Sequence, residues 1–203
     1  YCETTLSGHP KDPSKLIYLS SVNYIYRSDD GGKSDEEINI DDISRSSGIQ
    51  YHGDQKIVSL DDGLFFISSL YIVENIHNVG SGFYKIGGIL YKGSYLSKKI
   101  NYSIFQEVYM QSEDLLHVDY PKIAVYQNKN IYISGSSVEF PSGKGLAIYI
   151  SSDGGKTFDR QMMDISFERH RSPVMSMSTG PEGDLYGTII VDAKQYIIHF
   201  TSF

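Results

Sequence analysis

The sequence predicts an all-β protein, and three observations carry the prediction. Apolar residues alternate with polar ones in short runs and do not recur at a helical period. The 17 Tyr and 9 Phe stand among abundant Ile and Ser, a composition suited to a pleated, half-buried surface. The 19 Gly punctuate these runs together with Asn and Asp, which is turn chemistry. At 203 residues the chain can bury one sizeable core, so a single all-β domain over 1–203 is expected.

Leu16 to Leu19 and Asn23 to Arg27 read as the first strands, with no convincing strand ahead of them. They lead into a polar turn at Ser28. Lys56 to Leu60, the Asp61-Asp62-Gly63 turn and Leu64 to Ile67 read as a hairpin, because apolar alternation on both sides meets turn residues at the tip. Gly87-Gly88 and Gly143-Lys144-Gly145 read as further turns, and Tyr91-Lys92-Gly93-Ser94 as a degraded copy of the Ser28 turn. Tyr120 to Val125 and Ile131 to Ile133 flank a Gln-Asn-Lys-Asn turn; Ser172 to Met177 and Leu185-Tyr186 flank Gly180-Pro181-Glu182-Gly183.

The most informative stretch is Ala147 to Phe158, where an apolar run breaks into a turn built from Ser151, Asp153, Gly155, Thr157 and Phe158. The turn of Ser28, Asp30, Gly32 and Ser34 repeats it: with Ser28 set on Ser151, Ile25 meets Ile148, Tyr26 meets Tyr149 and Lys33 meets Lys156. Asp and Ser side chains accept hydrogen bonds from backbone N–H groups a few residues on, and Gly supplies the positive φ of a sharp turn. Asp30 and Asp153 are therefore expected to cap their own loops. Phe158 can fold back beneath its hairpin and bury a large apolar area.

The pattern Ser-x-Asp-x-Gly-x-Thr-Phe resembles the Asp box, or BNR repeat, of sialidase-like β-propellers. Units of four strands repeating every 40 to 55 residues or so also describe a propeller. The expected fold is a small β-propeller, or a propeller-like stack of about four antiparallel four-stranded blades, over 15–50, 55–112, 118–168 and 171–203. Strands from both ends would then combine to remove open edges. Sialidase-like rings are larger than this chain can supply, and a β-sandwich carrying Asp-box hairpins is the alternative.

The chemistry of catalysis is harder to find. The resemblance implies a glycosidase only with an arginine triad, a Tyr–Glu nucleophile pair and an acid/base Asp. The chain has Arg27, Arg45, Arg160, Arg169 and Arg171, and Arg171-Ser172-Pro173 matches the family's Arg-Ile-Pro signature weakly. The six histidines lack metal-ligand spacing, and no phosphate loop or nucleophile elbow occurs. No catalytic residue, metal or cofactor is assigned.

Charge narrows the partners. With 18 Lys and Arg against 25 Asp and Glu, the net charge is −7, which disfavours nucleic acids and anionic membranes. No apolar run is long enough for a transmembrane span. Cys2 is the lone cysteine and excludes an intrachain disulfide. The start at Tyr1 suggests processing or trimming; a lipid anchor through Cys2 is the lesser reading, because such anchors place the cysteine first. The segment from Asp29 to Asp42 holds Asp29, Asp30, Asp35, Glu36, Glu37, Asp41 and Asp42 against Lys33 alone. A wet loop is the plain reading; the sharper one makes Asp29, Asp35, Glu36, Glu37, Asp41 and Asp42 a docking surface for a basic protein. The expectation is a noncatalytic binding protein of the periplasm, cell envelope or secreted space, similar to immunity proteins that inhibit a bacterial toxin or effector. A carbohydrate-binding module taking a glycan, or a glycoside hydrolase fragment, is the alternative.

Overall fold

A computed structural model of the chain describes residues 5–19, 24–39, 51–74, 83–111, 122–140, 143–167, 174–191 and 194–201. Every regular element among them is a β-strand, and every pairing is antiparallel. The first sheet holds β1 (Thr5–His9), β2 (Asp12–Leu19), β3 (Tyr24–Ser28) and β4 (Glu36–Asn39). The second holds β5 (Tyr51–Ser59), β6 (Leu64–Glu74), β7 (Phe83–Ser94) and β8 (Ser97–Gln111). The third holds β9 (Lys122–Tyr126), β10 (Asn130–Phe140), β11 (Gly143–Ser151) and β12 (Asp159–Phe167). The last holds β13 (Val174–Thr179), β14 (Leu185–Val191) and β15 (Lys194–Phe200).

Each sheet is an up-and-down meander with strands in chain order, the build of a propeller blade. The all-β reading, in blade-like antiparallel sheets, is what the chain adopts. Two compact units result, Tyr1–Glu113 with the first two sheets and Asp114–Phe203 with the others. Within each unit the sheets come nearest at their leading strands, β1 beside β5 and β9 beside β13.

Burial follows the pleat. In the first unit Ile17, Leu19, Ile25 and Ile38 pack against Phe65, Ile67, Tyr71 and Ile89; in the second, Leu146 and Ile148 pack against Met175, Leu185 and Ile189. Each such fully buried side chain contributes about 1.5–3 kcal/mol. β3 alternates, with Ile25 buried between the outward Tyr24 and Tyr26, whereas Ile131 to Gly135 of β10 are buried without a break. The second pattern belongs to a strand covered on both faces.

The predicted hairpin turns form where their residues demand. Gly63 and Gly183 adopt φ of 81° and 93°, and each donates its N–H back to the residue three before it, Leu60 and Gly180, at 3.1 Å. Gln127 and Asn128 take the left-handed conformation without glycine.

Three expectations are corrected. A strand does precede Leu16: β1 pairs with β2 from Thr5↔Leu19 to His9↔Asp12, so the first sheet has four strands of its own. Gly87 and Gly88 lie inside β7, opposite Tyr71 and Leu70, and Gly143 to Gly145 lie inside β11. Gly88 is small because the Phe105 ring covers it; a Cβ there would stand 2.1 Å from Phe105 Cζ. Finally, Tyr91 to Ser94 ends β7, and a two-residue turn of Tyr95 and Leu96 connects it to β8. No Asp-box loop forms there. Tyr95 is buried instead and bonds through its hydroxyl to Ser59 Oγ (2.7 Å) and Ser7 O (3.2 Å).

Candidate functional site

The two repeated turns have the same internal geometry. At Ser28 the hydroxyl donates to Asp30 Oδ1 (2.9 Å) and accepts the Gly32 N–H (2.9 Å). Asp30 Oδ1 in turn accepts the N–H groups of Lys33 and Ser34, both at 2.9 Å, while its Oδ2 accepts the Ser34 hydroxyl at 2.6 Å. At Ser151 the corresponding bonds run from Ser151 to Asp153 (2.8 Å), from Gly155 to Ser151 (2.8 Å), from Lys156 (2.9 Å) and Thr157 (3.0 Å) to Asp153 Oδ1, and from the Thr157 hydroxyl to Oδ2 (2.7 Å). Each loop needs two successive positive-φ residues, Gly31 and Gly32 or Gly154 and Gly155, at 75° and 86° in both copies.

Each loop is also tied to its own sheet. Gly31 N donates to Ser14 O (2.8 Å) and Gly154 N to Lys129 O (2.9 Å). Hydrogen bonds set the electrostatics: the Ser34 hydroxyl, then its N–H, hold the Asp30 carboxyl down at about 2. Thr157 does the same for Asp153, which lies well below the usual carboxylate range. A carboxylate saturated in this way stays ionised and supports the backbone. Phe158 is half-buried after its turn.

The acidic segment divides into separate environments. Arg27, reaching from β3, donates to Glu36 Oε2 at 2.9 Å and to the Tyr95 carbonyl at 3.2 Å, and its Nε lies 3.6 Å from Asp29. Two of the predicted partner-binding carboxylates are thus paired within the first unit. Asp35 accepts the Tyr18 hydroxyl, and that bond pushes the Tyr18 phenol up to about 12. Asp35 and Glu37 are exposed. Asp41, Asp42 and Cys2 lie outside the described residues, as do Arg169, Arg171 and Pro173.

Register supplies what the sequence reading missed. Leu6 pairs with Tyr18, Tyr18 with Tyr26 and Tyr26 with Glu37, so these four residues cross one face of the first sheet in a row. Tyr18 and Tyr26 stack at 5.1 Å with 15° between ring planes, and Tyr24 joins Tyr26 at 6.3 Å and 29°. The signal available in the sequence was the spacing of two between Tyr24 and Tyr26. In the second unit a comparable contact joins Tyr186 to His199, stacked at 4.5 Å, with His199 Nε2 3.3 Å from Asp184.

The fold and turns together define a class: an all-β chain of blade-like meanders, two of them closed by Ser/Asp-capped loops. No protein family matches the chain, and no curated protein matches it. Among solved structures it is similar to YCF48 from Cyanidioschyzon merolae, with 13% identity and TM-score 0.44 over 98% of this chain and 56% of that one. It is similar also to an endo-arabinase from Bacteroides thetaiotaomicron, with 10% identity and TM-score 0.44 over 98% of this chain and 74% of that one. The chain thus spans little more than half the length of the first.

Proposed function

We propose that this chain is a noncatalytic binding protein of the periplasm, cell envelope or secreted space, and that it docks a basic protein partner. An immunity protein that inhibits a bacterial toxin is the form of that role which its size and acidity suit best. The supporting observation is the division among the carboxylates at the first turn. Asp30 is saturated by its own loop and Glu36 is paired with Arg27, whereas Asp35 and Glu37 stand exposed on the same margin. On a chain of net charge −7, exposed carboxylates on a rigid sheet steer and orient a cationic partner.

The test is a pull-down from lysate and secreted fraction at low and high salt, followed by calorimetry with the purified captured protein. One basic protein is expected, held at a fixed stoichiometry and weakened when Asp35 and Glu37 become Lys. Retention of a glycan with no protein partner, or turnover of a glycoside substrate, overturns the reading.

A further inference from the structure

The partner-binding reading names two carboxylates and leaves open which surface surrounds them and what it recognises. We infer that the outward face of the first sheet, the row Leu6, Tyr18, Tyr26 and Glu37 with Tyr24 beside it, is a docking surface for an arginine-bearing segment of a basic protein. This rests on the binding reading above and deepens it.

Exposure comes first. Leu6 is 63% exposed and Tyr24 45%, while Tyr18 and Tyr26 are half-buried beside them. The opposite face carries Ile17, Leu19, Ile25 and Ile38 in the core, so the core of this unit does not need a second apolar face turned to water. A strand's outward positions are ordinarily polar; here three of them are tyrosines in mutual ring contact. Tyrosine supplies large contact area at small entropic cost and is enriched where partners dock.

Charge decides the occupant. Asp35 reaches the face through the Tyr18 hydroxyl, and Glu37 stands directly across from Tyr26. The one arginine of these strands, Arg27, is turned to Glu36 and to the Tyr95 carbonyl. The face therefore offers phenolic oxygens, π-systems and carboxylates. A guanidinium matches all three: its planar fork bonds a carboxylate, and its face stacks on an aromatic ring. Because the Tyr26 ring is engaged by both Tyr18 and Tyr24, stacking of any ligand falls to the outer rings, and it is the carboxylates Asp35 and Glu37 beside them that favour a cation over a neutral sugar.

The probe is hexa-arginine, titrated at low ionic strength into the chain carrying ¹³C-labelled tyrosine, with maltohexaose as the comparison. The expected result is saturable movement of the Tyr24 and Tyr26 ring signals with hexa-arginine, and none with maltohexaose. Tyr24→Ala should weaken that binding about two- to fivefold, the range of an exposed cation–π contact, and Glu37→Gln should weaken it as well without truncating an aromatic ring. Unchanged amide spectra away from β3 and β4 establish that both variants fold. Binding that ignores both substitutions and moves signals elsewhere overturns this surface while leaving the wider reading standing. Movement of the rings with maltohexaose and not with hexa-arginine overturns both, in favour of a glycan platform. Silence with both probes overturns the surface alone, since the pull-down judges the wider reading independently.

Discussion

Replacing the serine of each repeated turn by alanine separates two copies of one device by their surroundings. Ser151 and Ser28 are each 1% exposed, and each accepts the N–H of the glycine four residues on. The glycines differ: Gly155 is buried, Gly32 exposed. Ser151→Ala removes an acceptor of the Gly155 N–H in a place water does not reach, which costs about 1–3 kcal/mol. At Ser28 water can take over the Gly32 N–H, so the net loss is that of an ordinary hydrogen bond, about 0.5–1.5 kcal/mol. A loss of 1 kcal/mol moves the Tm of a domain of 60–100 residues by about 4–8 °C. Urea titration and thermal melting of both variants give the two values. Equal losses, or a larger one at Ser28, would refute the reasoning.

Other consequences follow from the same geometry. Asp30 titrates at about 2 in the folded chain against roughly 3.9 for a free aspartate; its folded value is depressed, so its contribution is complete above about pH 4 and is lost as pH falls toward 2. Urea midpoints measured across that window should fall less steeply for Asp30→Asn than for the wild type, and identical slopes would count against the turn. A Cβ at Gly93 would lie 2.2 Å from Cζ of the fully buried Phe65, and one at Gly88 2.1 Å from Cζ of Phe105, which is half-buried. Gly93→Ala should therefore cost more than Gly88→Ala, with overpacking of this kind costing about 1–3 kcal/mol; the reverse order in denaturant titration would contradict the packing. In a double-mutant cycle Arg27 and Glu36 should couple by less than about 1 kcal/mol, because Glu36 is 42% exposed, whereas Arg27→Met alone should cost more through the lost Tyr95 carbonyl bond.

What the sequence made legible was local chemistry. Ser28 with Asp30 and Ser151 with Asp153 act within four residues of themselves, and Gly63 and Gly183 close turns of four residues, so composition and spacing sufficed to place them. What escaped depended on partners far along the chain. β1, with Gly8 and His9 among its five residues, is a strand because β2 pairs with it and His9 packs edge-on against Tyr95 at 5.2 Å. The Gly87-Gly88 pair reads as a turn until Phe105 is seen to occupy the space above it. The acidic run looks uniform in sequence, and it takes the position of Arg27 to divide it. The tyrosine row exists only once register sets Tyr18 against Tyr26.

The carboxylates are assigned different duties: Asp30 and Asp153 hold loops, while Asp35 and Glu37 are proposed to meet a partner. Calorimetric titration of the captured basic protein, run beside urea unfolding on the same two variants, tests that division most directly. Asp35→Lys with Glu37→Lys should weaken binding and leave the unfolding midpoint nearly unchanged, and Asp153→Asn should lower the midpoint and leave binding intact; the opposite pattern would contradict these roles.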